Sequence, residues 1–356
     1  MVESFRIGNR LVGVDVSPLV IAEVGINHNG SLDVAKRMVD SAFSVGCECV
    51  KFQHHLPYEE MSVEARSVVP GNSDRDIFSI IDDSTMSLSD LSDIKDYVES
   101  KGMIFLCTPF CIKAVDELES IGVVAYKIGS GECNNIPLIR HVASKGKPII
   151  MSTGMNCLEV IEESVNIIKE YNVPLVLLHC VSIYPTPLEL VNLNRVNELK
   201  SINELVGFSD HSKSIYASVF SISLGACVIE KHFTYDNKIK GPDINLSITP
   251  PELKELIMFT KSYEKVLMNN SMSIRNLEAV TSNFAFHSIC LNKDIKKGEK
   301  LVFEDLSFKR PGTGDYKAKD YKKVIGMITK KDITKGEQLK KEEIKRELNY
   351  GEEDYN

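Results

Sequence analysis

Over about the first 240 residues, short apolar runs alternate with amphipathic stretches. The runs are Val20–Val24, Cys49–Phe52, Met103–Cys107, Ala125–Ile128, Pro148–Met151, Leu175–His179, Leu205–Phe208 and Ala226–Glu230. Between them, Asp33–Val45 sets Val34, Met38 and Val39 on one helical face, and Leu88–Ser100 and Cys157–Glu170 follow the same spacing. Ser31 and Ser89-Asp90 offer capping side chains. Continuous apolar runs suit strands covered on both faces. Eight strand–helix repeats in one domain-sized stretch predict an α/β fold, a (β/α)8 TIM barrel.

The runs end in polar groups. Their exits are Glu23…Asn27-His28, Lys51-Phe52-Gln53, Thr108-Pro109, Lys127…Ser130-Gly131-Glu132, Ser152-Thr153-Gly154, Ser182…Tyr184, Ser209-Asp210-His211 and His232-Phe233-Thr234. The C-terminal ends of barrel strands carry the active site in this architecture. Lys, Glu and His inside apolar strands are costly to bury unless they are paired.

Beyond Pro250 a helical stretch, Pro251–Leu267, leads into polar sequence read as a linker. The chain is therefore divided into a barrel, residues 1–270, a linker, 271–283, and a small C-terminal domain, 284–356. In the last part Lys293-Asp294-Ile295-Lys296-Lys297-Gly298-Glu299 returns 38 residues later as Lys331-Asp332-Ile333-Thr334-Lys335-Gly336-Glu337, a sign of internal pseudo-symmetry.

Composition narrows the setting. The 356 residues include 43% hydrophobic ones, enough for a large core. No run approaches the roughly 20 apolar residues of a membrane span, and the N-terminus lacks a signal-peptide layout. With nine cysteines, an odd number without a Cys-x-x-Cys pair, the chain reads as cytoplasmic with buried free thiols. The net charge of −8 is uneven: +3 from Phe284 onward and −11 before it. A basic small domain suits docking on acidic protein or guiding an anion, and a solvated mixed-charge face explains the numbers as well. Interspersed signs argue against a nucleic-acid partner.

Three sets of residues carry candidate chemistry. His211 and His232, leaving adjacent strands, suit a divalent metal with open positions, although a lone histidine is more often structural. Lys51, Lys127, Thr108, Ser130, Ser152 and Ser209 suit a phosphate-and-carboxylate cradle; one lysine alone would simply snorkel to water. Glu23, Glu132 and Asp243 are candidate proton carriers, and Glu23 would equally serve as a lysine's partner.

At these positions the chain resembles the bacterial N-acetylneuraminate synthases. The matching segments include Glu23-Val24-Gly25-Ile26-Asn27-His28-Asn29-Gly30, Lys51-Phe52-Gln53, Pro70-Gly71-Asn72, Lys127-Ile128-Gly129-Ser130-Gly131-Glu132-Cys133-Asn134-Asn135, Tyr184-Pro185-Thr186-Pro187, Ser209-Asp210-His211, Glu230-Lys231-His232-Phe233, Gly241-Pro242-Asp243, Phe284-Ala285-Phe286 and Lys309-Arg310-Pro311-Gly312-Thr313-Gly314. Their order is preserved over nearly the whole chain. The resemblance implies a barrel followed by an antifreeze-like (SAF) domain. It also implies a domain-swapped homodimer, and the joining of phosphoenolpyruvate to open-chain N-acetylmannosamine with release of phosphate.

It further implies Mn²⁺, replaceable by Mg²⁺ or Co²⁺, on His211 and His232. The implied phosphoenolpyruvate contacts are Lys51, Thr108, Lys127, Ser130, Ser152 and Ser209. Glu132 is the implied acid/base and Glu23 a sugar or metal-water contact. Gln53, Asn72, Tyr184, Asp243 and Phe284 line the implied acceptor site, and Arg310 reaches it from the second subunit. Ser182 departs from the asparagine common there, and a shorter side chain loses that contact or bridges it through water. Other acceptors, the diacetamido precursors of legionaminic or pseudaminic acid, belong to the same resemblance. A Schiff-base aldolase using Lys127 or Lys51 and a non-catalytic sugar-binding protein are the rivals outside it.

Overall fold

Apolar strands that bury both faces need cover on both, and the chain supplies it by alternating each strand with a helix. The computed structural model describes residues 4–71, 73–267 and 271–346. Two compact units result, Met1–Met268 and Asn269–Asn356.

In the first unit a hairpin of β1 (Ser4–Ile7) and β2 (Arg10–Gly13) precedes eight strands: β3 (Leu19–Gly25), β4 (Cys49–His54), β5 (Ile104–Pro109), β6 (Tyr126–Ile128), β7 (Ile149–Ser152), β8 (Leu175–Cys180), β9 (Val206–Asp210) and β10 (Val228–His232). Their order is β5-β4-β3-β10-β9-β8-β7-β6, and the paired neighbours run parallel. The two end strands are consecutive in sequence, so the order returns on itself as a nearly closed TIM-like barrel. Helices follow the strands. In Leu32–Ser44, Ser31 accepts the Val34 N–H at the N-cap and Ala35, Met38, Val39 and Ala42 face the strands. For Leu88–Ser100 the cap is Ser87, whose Oγ accepts the Asp90 N–H at 3.1 Å. Ser89 lies one residue inside the helix, because Leu91, Ile94 and Val98 set the buried face.

One apolar cluster fills the space between helices and strands. Another fills the barrel's N-terminal end, where Phe5, Ile7 and Val12 of the hairpin pack with Leu19, Ile21, Leu106, Ile150, Val176 and Leu178. The hairpin thus plugs the end opposite the strand exits. Gly207 is required by close approach, since a Cβ there would stand 2.3 Å from the Val228 carbonyl oxygen of the neighbouring strand. Among the described residues no helix is long and apolar enough to cross a membrane. Cys49, Cys107, Cys180 and Cys227 are buried free thiols.

The second unit begins with helices Ser271–Leu277 and Ala279–Ala285, which occupy the span read as a linker. Antiparallel β11 (Ser288–Leu291) and β12 (Leu306–Lys309) and the shorter β13 (Ile328–Thr329) and β14 (Ile344–Lys345) follow. The repeated segments pair with each other. Ile295 and Ile333 exchange backbone hydrogen bonds of 3.0 and 2.9 Å. Asp332 accepts the Lys297 N–H and Asp294 the Lys335 N–H, both at 2.8 Å.

Ile7 is fully buried in the barrel plug. Ile7→Ala is expected to destabilise the first unit by about 2–5 kcal/mol through lost burial and an unfilled cavity, read by calorimetric melting.

Candidate active site

The strand exits converge on one cavity of about 1010 Å³, lined by Glu23, Lys51, Gln53, Thr108, Lys127, Ser130, Glu132, Ser152, Ser182, Tyr184, Ser209, His211, His232 and Asp243. Asn72 lies outside the described residues. Phe284 and Arg310 are exposed side chains of the second unit, where the Gly312 N–H of the Arg310-Pro311-Gly312 turn donates to Asn283 O at 2.7 Å.

At the centre is a buried cluster of charge. Lys51 Nζ lies 3.0 Å from Glu23 Oε2 and 3.5 Å from Glu230 Oε2, and Lys127 Nζ lies 3.6 Å from Glu230 Oε1. Lys51 also donates to Thr108 Oγ1 at 3.1 Å, Lys127 to Ser152 Oγ at 2.8 Å, and Ser209 to Glu230 Oε1 at 2.8 Å. Burial opposes ionisation of Glu230, but Lys127, Lys51 and Ser209 outweigh it and hold its carboxyl down to about 2. Burial pushes Glu23 up despite Lys51, with the Glu230 charge adding to the rise. Burial also opposes the charge of Lys51, yet Glu23 and Glu230 raise it, whereas Lys127 is lowered. Glu230 touches both cations and keeps its charge; Glu23 touches one and is the readier of the two to hold a proton.

Glu230, the carboxylate that meets both lysines, has no role in the sequence reading, although it closes the run Ala226–Glu230.

Glu132 sits beside this cluster on the loop after β6. Burial raises its carboxyl above the ordinary range, against its own backbone N–H and Lys127. A buried carboxyl raised in this way suits proton transfer. Its place depends on Gly129, where a Cβ would come within 2.4 Å of Glu132 Oε2. Ser130 Oγ accepts the Gly154 N–H at 3.0 Å, and a Cβ on Gly154 would stand 2.6 Å from Ser182 Oγ.

His211 and His232 form the other half, with ring centroids 5.4 Å apart and the Tyr184 ring 4.1 Å from His211, tilted by 30°. His211 Nδ1 donates to Val181 O at 2.9 Å, which leaves Nε2 for a ligand. His232 Nδ1 is buried with no hydrogen-bond partner, 3.6 Å from Asp243 Oδ2. Burial, His211 and Lys51 hold its imidazole well below its ordinary value, and burial lifts Asp243 to about 6. Among the described residues no group of three or more His, Cys, Asp or Glu is gathered for a metal. Two adjacent imidazoles, that of His232 with an orphaned nitrogen, fit an ion that takes its other ligands from substrate or water.

Residues 38–272 match the model of the NeuB family and residues 287–345 that of the SAF domain. The chain belongs to the NeuB family. An N,N'-diacetyllegionaminic acid synthase of Campylobacter jejuni is 35% identical over 90% of this chain and 98% of its own. An uncharacterized protein of Methanocaldococcus jannaschii is 40% identical over 88% and 90%. The crystal structure of an N-acetylneuraminic acid synthetase from Leptospira borgpetersenii, in complex with citrate, is 31% identical, with a TM-score of 0.71 over 78% of this chain and 96% of that one. The family is one of sugar-acid synthases, and residues 287–345 of the second unit are an SAF domain.

Glu230→Gln leaves both lysines short of their shared anion and is expected to cost about 3–5 kcal/mol at neutral pH. A carboxyl whose folded value lies below its ordinary 4.5 contributes stability above 4.5 and loses it as pH falls toward about 2. The gap between wild type and variant should therefore narrow as denaturation is measured at decreasing pH from 7 to 3.

Proposed function

We propose that the chain condenses phosphoenolpyruvate with the open-chain aldehyde of a 2-acetamido sugar and water, giving a nine-carbon 2-keto sugar acid and phosphate. The observation that carries this reading is the meeting in one cavity of the Lys51–Glu230–Lys127 cluster, the raised Glu132 carboxyl and the His211–His232 pair.

Lys51 and Lys127, with Thr108, Ser152 and Ser209, would hold the phosphate and carboxylate of phosphoenolpyruvate and offset their charge. Held there, its C3 attacks the aldehyde carbon and forms the new C–C bond, while C2 becomes electron-poor. Water adds to C2. The tetrahedral product then expels phosphate with the C2–O bonding pair, and the C2 hydroxyl gives its proton to the departing phosphate, leaving the 2-keto group. Glu132 is assigned the protons: one delivered to the former aldehyde oxygen, one taken from the incoming water. A divalent ion on His211 and His232, Mn²⁺ by expectation, would supply Lewis acidity toward the aldehyde oxygen. Ser182, Tyr184, Gln53 and Asp243 would meet the acceptor or the phosphate from the cavity wall.

The acceptor expected from sequence is N-acetylmannosamine. A second acceptor, a 6-deoxy diacetamido hexose, is favoured by the apolar part of the wall, Ile26, Met61, Ile77, Ile80 and Ile81, which suits a methyl group in place of a hydroxyl. The 35% identity to diacetyllegionaminic acid synthases supports it as well.

Incubation with phosphoenolpyruvate, Mn²⁺ and each acceptor in parallel should release phosphate and yield a nine-carbon product, and a chelator should suppress both. Release in chelator together with borohydride trapping would replace this reading by Schiff-base chemistry. Silence with both sugars would remove catalysis from it. Glu132→Gln is expected to lower kcat by about 10²–10⁴ with little change in phosphoenolpyruvate binding.

Two copies are also proposed, Arg310 of one serving the acceptor held by the other. Arg310→Ala and Glu132→Gln, each impaired alone, should then regain activity when unfolded together and refolded as a mixture; no regain would place Arg310 on its own chain's site or outside catalysis.

A further inference from the structure

His55 leaves β4 two residues after Gln53, and the reaction steps proposed above do not use it. Its ring is buried and stacked on Phe110, with centroids 3.9 Å apart and 15° between the planes. In that plane Nδ1 is hydrogen-bonded to Glu60 Oε1 at 2.7 Å, and Nε2 to Gln53 Oε1 at 3.0 Å. The other oxygen of Glu60 accepts the Leu56 N–H at 3.1 Å, so the carboxylate is itself clamped. On its far side the Gln53 amide donates from Nε2 to Glu23 Oε1 at 2.8 Å. All five side chains, Glu60, His55, Phe110, Gln53 and Glu23, line the cavity.

An amide between two partners has two orientations, and the partners decide between them. Nδ1 faces a carboxylate and Nε2 an amide oxygen, so in this arrangement the ring donates from both nitrogens, and the Nε2 donor selects the orientation with Gln53 oxygen toward the imidazole and nitrogen toward Glu23. The reverse would turn the amide N–H₂ against the Nε2 donor of His55. A stack and two in-plane hydrogen bonds leave the imidazole no free rotation, so the choice is built in before any ligand arrives.

We propose that His55, held by Glu60 and Phe110, is a positioning residue that sets the orientation of the Gln53 amide and thereby the acceptor end of the cavity. The acceptor part rests on the function proposed above. The alternative is that His55 and Glu60 only pin the loop after β4.

A double-mutant cycle separates the two. His55→Ala and Gln53→Ala should each raise the acceptor KM about tenfold and leave the phosphoenolpyruvate KM and the melting temperature nearly unchanged. The double variant should be no worse than either single one, because His55 acts through Gln53. His55→Gln, which can place an amide nitrogen near the position of Nε2, should restore the acceptor KM. Effects that multiply in the double variant, or a common rise of both KM values with a lower melting temperature, would overturn the proposal.

A second measurement needs no substrate. In protein carrying ¹⁵N-histidine, the His55 Nε2–H resonance should be protected from exchange in wild type and lost in Gln53→Ala. Its absence in wild type would refute the positioning role. Its presence in a protein that turns over neither sugar would keep that role and reject the proposed reaction.

Discussion

Two ammonium groups cannot sit inside a barrel unless an anion sits between them. An isolated buried charge costs several kcal/mol, and Lys51 and Lys127 are both buried. Glu230 meets both and Glu23 meets Lys51, so the lysines are compensated before any ligand enters. These four side chains come from β4, β6, β10 and β3. The compensation therefore exists only when the strands are in register around the ring, which ties the site's electrostatics to the closure of the fold. It also leaves the lysines able to exchange protein carboxylates for those of an anionic ligand.

The histidines rest on a second buried pair next door. Lys231, between Glu230 and His232, has the opposite facing expected of strand alternation. It pairs with Asp210 at 3.3 Å. Asp210 also accepts from Ser218 Oγ at 2.6 Å and the Ser212 N–H at 2.8 Å. Alternate residues of the same two strands thus serve the cavity and its support. The imidazoles are held by backbone whose outer side is already saturated with hydrogen bonds.

Most of the barrel and much of the cavity were legible in the sequence, because a strand buried on both faces reads as an apolar run and its polar exit stands out against it. The runs Val20–Val24, Cys49–Phe52, Ala125–Ile128 and Ala226–Glu230, which carry Glu23, Lys51 and Lys127 or lead to His232, are of this kind. The hairpin was not legible. Its strands have four residues each, too short for alternation to be distinguished from chance, and its burial comes from the barrel end it fills. Glu230 is counted with the run it closes, Ala226–Glu230, and so does not stand out as a polar exit. Nothing local in Gln53-His54-His55 or Glu60 announces their pairing, which depends on the turn after β4 bringing Glu60 back to His55. The helices over 271–285 begin in polar sequence that reads as loop by composition.

The plug made by Phe5, Ile7 and Val12 has a kinetic consequence. A barrel stoppered at its N-terminal end is a well with one mouth, and traffic through it is last in, first out. A molecule that seats against Lys51 and Lys127 would arrive before whatever fills the space nearer the rim, and would depart after that space is cleared. Depth alone would then impose an order on reactants and products, without any moving part to enforce it.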